Sequence, residues 1–331
     1  MKPLRTKGTC FICGKDIVQS NLGARYLRCS GCGLVITDYI DASISATLYP
    51  AEYYGRDGIK FTGFFKTIRD CLLGYRKHAA KKITSASCSI LDIGCGNGKF
   101  LSDMSRFCFH ICGVELPGPA FEAERRIPGI TLVPADELSP ASFDKGSFSV
   151  ITLWHSLEHI SNPADILLYC GRWLRKDGFV LIEAPNIQSC QAQLFGNKWL
   201  HMDYPRHRFH FTPHALRLLL EKAGFTVIDE GSLSLDMGIF GIIQSALNLF
   251  IKPDNYLYSC MHRKPSGVFA LKEIYSIFWA IILLPFALIF TVLESVLRSG
   301  SVIRYVCRMR CLTERKEYGI LHSWRTEEHA S

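Results

Sequence analysis

The first ten residues, MKPLRTKGTC, lack the apolar core of a secretory signal, so the chain is expected to work in a reducing cytoplasm. Internal repeats and low-complexity tracts are missing too, which excludes solenoid and fibrous architectures. Charge is sparse at 21% of residues, against 48% hydrophobic and 12% aromatic, and that balance excludes a mainly disordered chain. Its 331 residues suffice for one large α/β domain with additions, or for two ordinary domains. Acidic groups are the scarcer sign: 30 Asp and Glu face 38 Lys and Arg. The resulting +8 fits an anionic partner, whether nucleic acid, membrane surface or phosphorylated substrate, without choosing among them.

The 14 cysteines are too dilute for a secreted disulfide scaffold. Ten are scattered through apolar stretches, Cys95, Cys108 and Cys170 among them, and are read as small buried hydrophobes. The other four form two C-x₂-C turns, Cys10-Phe-Ile-Cys13-Gly and Cys29-Ser-Gly-Cys32-Gly, separated by fifteen residues. Two intervening residues let one tight turn aim both sulfurs at one ion, and the following glycine relaxes the backbone. Four soft thiolates are the usual tetrahedral Zn²⁺ set; a redox pair or another metal is the competing reading. So short a segment buries little core, so the metal would supply its folding energy. Four cysteines leave no open coordination position, which makes the ribbon structural rather than catalytic.

Composition divides the chain into a ribbon (1–40), a linker with N-terminal helices (41–88), a central domain (89–235), an apolar helical hairpin (236–300), and a last strand with a polar tail (301–331). In the central block, Ser89–Ile93, His110–Val114, Phe148–Leu153, Phe179–Glu183 and Phe225–Asp229 read as strands. Gly98–Phe107, Ala120–Arg126, Pro163–Leu174 and a segment from Pro213 to Ala223 have helical spacing, the last with Thr212 as N-cap and Gly224 beyond its end. Such alternation predicts a doubly wound α/β domain around a parallel sheet.

Ile90-Leu-Asp92-Ile-Gly94-Cys95-Gly96-Asn-Gly98 joins a strand to a helix, and its glycines allow close backbone approach to a ligand. The segment has no G-K-[ST] ending, which disfavours triphosphate hydrolysis, and its glycines run G-x-G-x-G rather than G-x-G-x-x-G. Glu115 ends the next strand, where a carboxylate can accept both hydrogen bonds of a ribose diol.

These residues resemble the first motif of class I S-adenosylmethionine-dependent methyltransferases. The similarity continues through Ile111–Glu115, Trp154-His-Ser-Leu-Glu158-His159 with Pro163 nearby, Asp177–Asn186, Tyr204–Pro213 and Ala223-Gly-Phe225, covering about 90–230. The nearest subgroup pairs a four-cysteine ribbon with this domain. It is common among bacterial enzymes of polysaccharide and natural-product assembly, and is related to ubiquinone-biosynthesis O-methyltransferases. The resemblance implies a Rossmann-like sheet of seven strands. It implies a cofactor-binding set of Asp92, Gly94, Cys95, Gly96, Gly98 and Trp154, in which the three glycines line the methionine moiety and Asp92 orders the loop. Glu115 would hold the ribose, Leu116 would pack on adenine, and Asp136 would face its amino group. The family usually has Phe-Asp before the fourth strand; here Phe148-Ser149 stands there, and Phe143-Asp144 lies just upstream.

His155, Glu158 and His159 follow the fourth strand at i, i+3, i+4, a spacing that groups them on one face of a helical turn. Ubiquinone-type relatives hold a divalent metal with a similar cluster. Here its first member is His, which leaves His159 as a base for the acceptor proton or the turn as a plain loop-orderer. Asp203-Tyr-Pro-Arg206-His207-Arg208-Phe-His210 mixes cations with aromatics before a helix, a mixture that suits nucleic acid or a lid over an anionic sugar phosphate. Its position in the family implies an acceptor-side lid, with His207 and Arg206 the second candidates for chemistry and His210 a packing residue.

Ile274–Leu293 is twenty residues without a charge, long enough at about 1.5 Å per residue to cross a hydrocarbon core of about 30 Å. Met237–Ile251 is apolar but shorter, and Ser301–Arg308 reads as the last antiparallel strand. Both ends of the apolar region would then share one side of a membrane, so a hairpin dipping into one leaflet, bent at Pro285, fits better than a single crossing; a buried helix or a dimer interface is the remaining reading. Its basic flanks suit an anionic cytoplasmic surface contacted through residues 237–297. The expected function is therefore methyl transfer from S-adenosylmethionine to the oxygen of a lipid-linked sugar, polysaccharide precursor or polyprenyl acceptor, with Zn²⁺ in the ribbon. A zinc-ribbon RNA methyltransferase and a non-catalytic cofactor-binding scaffold are the alternatives; the apolar hairpin disfavours nucleic acid, and the intact glycine loop disfavours the scaffold.

Overall fold

Short β-rich runs and amphipathic stretches alternate through the chain, and in a computed structural model they resolve into two sheets and a helical hairpin. The structure describes residues 8–38, 74–84, 88–125, 127–262 and 271–310. The polar tail from 311, the linker over 39–73 and Arg126 lie outside these residues.

The ribbon contributes β1 (Ile17–Gln19), β2 (Tyr26–Cys29) and β3 (Val35–Thr37). Helix α1 (Gly74–Lys82) leads into β4 (Cys88–Ile93), α2 (Lys99–Met104), β5 (Cys108–Glu115), α3 (Pro119–Glu124) and β6 (Ile130–Pro134). Next come β7 (Phe148–Trp154), α4 (Pro163–Trp173), β8 (Leu174–Pro185), α5 (Cys190–Phe195), β9 (Phe209–His210), α6 (Pro213–Lys222) and β10 (Phe225–Gly231). The hairpin holds α7 (Leu235–Asn248), α8 (Tyr256–His262) and α9 (Leu271–Val296), and β11 (Val302–Met309) returns to the sheet.

The large sheet has the order β10-β11-β8-β7-β4-β5-β6. Its β8-β7-β4-β5-β6 portion is parallel, and β11 is antiparallel to both neighbours. This is the Rossmann-like sheet of seven strands that the resemblance implies. Every residue of β4 and β7 is buried, as expected of central strands covered on both faces. Helix α4 starts at Pro163 after the Asn162 cap and turns Ile166, Leu167, Cys170 and Trp173 inward. Helix α6 begins at Pro213 behind Thr212, whose hydroxyl accepts from Ala215 N at 2.9 Å. Strand β7 starts at Phe148, so Phe143-Asp144 belongs to the preceding turn, where the Phe143 ring packs edge-on against Phe148.

Three features depart from the sequence expectation. Strand β6, the short apolar run Ile130-Thr-Leu-Val-Pro134 half exposed at the sheet edge, is not among the strands read from the sequence. Cys88 and Cys108, expected as separate buried thiols, face each other in the β4/β5 register and form a disulfide. Helix α9 runs on through Pro285, and the short α8 sits between the two long hairpin arms.

Candidate functional site

The carboxyl ends of β4, β5 and β7 converge where ligands of open α/β sheets bind. After β4 the chain turns through Gly94, Gly96 and Gly98 at φ of 78°, 62° and 70°, in the left-handed region that favours glycine. Gly94 N and Cys95 N both donate to Val114 O, at 2.7 and 3.2 Å, which ties the loop to β5. Glu115 then receives Gly96 N on Oε2 at 2.7 Å and Leu116 N on Oε1 at 3.0 Å. A Cβ on Gly96 would meet nothing within 4 Å, so the loop presents bare backbone to open space beside a carboxylate. That is a fitting cradle for the methionine and ribose parts of S-adenosylmethionine.

Asp92 lies buried beneath this loop and accepts from Thr152 Oγ1 at 2.6 Å. Burial pushes its carboxyl up to about 7 despite that hydrogen bond. Cys95 donates to Glu124 Oε2 at 2.7 Å, so its thiol is engaged inward. Leu116 and Asp136 are exposed beyond the ends of β5 and β6.

Trp154 ends β7 with its ring edge-on to Tyr75 and Phe100 and the Arg76 guanidinium 5.3 Å from its centroid. Tyr75 OH donates to Glu183 Oε1, which also contacts His155 Nε2 at 2.9 Å. His155, at φ 52°, is thus gripped by Glu183, with Glu158 3.6 Å from its Nδ1. Burial works against the imidazolium, but the two carboxylates outweigh it and raise His155 to about 9. His155 is therefore a cationic strut at neutral pH. Tyr75, Arg76 and Glu183 escaped sequence reading because their partners lie far away in the chain; Glu183 and Arg304, for example, pair at 3.7 Å across two strands.

A second cluster forms where the turn after β7 meets the segment before α6. Potential ligand atoms of Glu158, His159 and His207 lie within 4.8 Å of one another. The two imidazoles pack edge-to-face with centroids 4.6 Å apart. His207 Nδ1 donates to His201 O at 2.8 Å and His159 Nδ1 to Arg206 O at 3.1 Å. In the neutral rings those bonds put both lone pairs on Nε2. Glu158 is buried, and neither of its carboxylate oxygens has a hydrogen-bond partner among the described residues. Burial resists its ionisation, but His155, His159 and His207 hold it down at about 2. Burial keeps His207 neutral by lowering it to about 4, with His159 adding to the effect. One carboxylate and two such imidazoles can hold a divalent cation or relay a proton.

The four ribbon sulfurs lie within 4.8 Å of one another, with Cys10–Cys32 at 3.7 Å and Cys13–Cys29 at 3.2 Å. Tetrahedral zinc–thiolate bonds of about 2.3 Å place sulfurs about 3.8 Å apart, so the set fits Zn²⁺ with little adjustment. Ile12 N and Gly31 N point at Cys10 and Cys29 sulfurs, a pattern that favours thiolates.

A family model described as a methyltransferase domain matches residues 65–230. The ubiquinone biosynthesis O-methyltransferase of Maricaulis maris is 30% identical over 156 residues, 42% of this chain and 59% of that protein. Its counterpart from Albidiferax ferrireducens is 27% identical over 103 residues, 29% of this chain and 41% of that protein. The matches thus span about half the length of these curated relatives. A putative methyltransferase solved in complex with the Haloferax volcanii Trm112 methyltransferase activator superimposes with a TM-score of 0.50. At 14% identity, over 76% of this chain and 94% of that one, it is a likeness of fold.

Proposed function

The chain belongs to the methyltransferase-domain family, and on that premise we propose that it transfers the methyl group of S-adenosylmethionine to a hydroxyl of a membrane-resident amphiphile, such as a lipid-linked sugar or polyprenyl compound. The observation that carries the reading is the open glycine cradle against Glu115 at the carboxyl edge of the sheet.

S-adenosylmethionine supplies a sulfonium-activated methyl, so transfer breaks one S–C bond, forms one O–C bond and returns the electron pair to sulfur. Gly94, Gly96 and Gly98 let the backbone lie against the cofactor, and Glu115 accepts from its ribose hydroxyls. Trp154, buried at the end of β7 with the Arg76 guanidinium against its ring, would help keep water from the reacting centre. His159 Nε2 takes the acceptor's proton, with His207 held neutral beside it and Glu158 stabilising the imidazolium that forms.

Helix α9 supports a membrane partner. Its 26 residues include a window with hydropathy 2.5 of which only 17% is buried. Its four fully buried residues, Ser276, Ala287, Thr291 and Glu294, are small or polar, and Ile277, Trp279 and Leu283 pack half-buried against the α7 side, while Phe278, Ile281, Phe286 and Ile289 face outward. Small residues at the closest approach and large apolar ones left outside fit a helix whose outer face meets lipid. Strand β10 leads into the hairpin and β11 leaves it side by side, so both arms rise from one side. A monotopic insertion at the cytoplasmic face accommodates that.

The test is methyl transfer from radiolabelled S-adenosylmethionine to a total membrane lipid extract, a sugar-nucleotide mixture and total RNA. Label in the lipid phase is expected, together with membrane binding that survives a high-salt wash. Label in RNA alone would overturn the acceptor assignment, and binding lost in salt would overturn insertion.

A further inference from the structure

The ribbon is not an independent appendage. Its strand β3 pairs with β9, at Val35 with His210 and Ile36 with Phe209, making a four-stranded sheet whose outer strand belongs to the acceptor-side segment. Thr37 N donates to Arg208 O at 2.9 Å, and Thr37 Oγ1 donates to His207 O at 2.5 Å. The hydroxyl has one hydrogen, so it accepts from His210 Nε2 at 3.2 Å. This fixes the His210 tautomer and leaves Nδ1 without a hydrogen-bond partner among the described residues. On the opposite side, Arg208 N and Phe209 N both donate to Glu158 O, at 2.9 and 3.2 Å. The stretch from His207 to His210 is thereby clamped between the ribbon and the turn that carries Glu158 and His159. A second tie lies further on, where Thr212 Oγ1 donates to Cys32 O at 2.8 Å, one residue type bridging the metal turn and the α6 cap.

We propose that Thr37 is a positioning residue for the acceptor-side pair: the metal-folded ribbon presents its hydroxyl so that His207 meets His159 beside Glu158. The proposal rests on the reading of that pair as the proton-handling end of the site. A ribbon that served only as a hydrophobic cap would need Ile12, Leu34 and Ile36, which pack into the main core with Phe209 and Phe211. It would have no use for a buried hydroxyl on a backbone carbonyl 170 positions away. Thr37 touches none of the glycine-loop contacts that tie β4 to β5, so cofactor binding and acceptor-side order become separable properties.

The experiment uses the full, zinc-loaded chain carrying Thr37→Val or Thr37→Ser. Valine keeps the shape and deletes the hydroxyl; serine keeps the hydroxyl. Amide hydrogen exchange over 203–210 should quicken by about tenfold or more in the valine variant and stay within about twofold of wild type in the serine variant. Peptides from 88–115, zinc content and S-adenosylhomocysteine affinity should not change in either. In the lipid-extract assay the valine variant should lose kcat by about tenfold at an unchanged KM for S-adenosylmethionine, and serine should restore it. Stripping zinc from the wild type with a chelator is the second arm, and should loosen 203–210 while S-adenosylhomocysteine still binds. Unchanged exchange in Thr37→Val, failure of serine to restore it, or loss of S-adenosylhomocysteine binding along with the segment's order would each overturn the proposal. If no variant methylates lipid, the acceptor reading fails, and the exchange data still decide the positioning.

Discussion

Gly96 N and Leu116 N donate to the two oxygens of Glu115 at 2.7 and 3.0 Å, so this carboxylate ties the glycine loop to the end of β5 at the place proposed for the ribose. Glu115→Ala removes two charge-assisted acceptors. At about 1.5–3 kcal/mol for a hydrogen bond to a charged group, S-adenosylhomocysteine affinity should fall by at least about tenfold. Isothermal titration of both proteins measures it. Equal affinities would place the cofactor elsewhere.

The loop glycines should separate by what surrounds them. A Cβ on Gly94 would come within 2.5 Å of Ser156 Cβ, whereas one on Gly96 meets nothing within 4 Å. Gly94→Ala should therefore lower the melting temperature clearly. Gly96→Val should carry only the strain of φ 62°, about 1–2 kcal/mol, yet block S-adenosylhomocysteine. Thermal melts paired with titrations test the contrast, and it fails if Gly96→Val binds normally.

The chemistry-bearing local motifs were legible, because each is short and its geometry follows from spacing. The C-x₂-C pairs do bring four sulfurs together, and Thr212-Pro213 does start α6. The strand-loop-helix around Asp92 and Gly98 and the strand ending at Glu115 were legible for the same reason. What the sequence concealed was long-range pairing. Nothing local in Val35-Ile-Thr37 announces His207, and nothing in Gly74–Lys82 announces Trp154 and Glu183. The Cys88–Cys108 bond depends on the register of two parallel strands, which periodicity leaves open.

His155 supplies a pH dependence whose sign is fixed. Burial disfavours its cation, but Glu158 and Glu183 raise it from 6.5 to about 9 in the fold. Its contribution to stability is fully present below pH 6.5 and is lost as pH rises through about 9. Urea unfolding at pH 6 and pH 9.5 should show a wild-type loss that His155→Gln does not share. A variant with the same alkaline loss would mean that another group titrates.

Zinc in the ribbon should be stoichiometric and structural. Cys29→Ser removes one of four thiolates, and Cys29 is also the residue whose N–H and C=O bracket the metal turn, toward Leu34 O at 2.8 Å and Gly33 N at 3.2 Å. Metal analysis should find the ion lost, and proteolysis should cut first within 8–38. Full zinc content in this variant would mean that the cysteines do not form the site.

The two sides of α9 should respond oppositely to mutation. Ile281 and Phe286 are 66% and 68% exposed, so aspartate at both removes little packing inside the protein. The double variant Ile281→Asp/Phe286→Asp should melt like the wild type and no longer float with phosphatidylglycerol vesicles in high salt. On the seam, Ala287 is fully buried, and Gly238 lies so near Thr291 that a Cβ would approach its Cγ2 to 2.3 Å. Ala287→Leu should force α7 and α9 apart and destabilise the hairpin by about 1–3 kcal/mol. Vesicle flotation and melting curves read the two effects separately. Flotation that survives the aspartates would assign membrane contact to another surface; a seam indifferent to leucine would mean that the arms are not packed helix against helix.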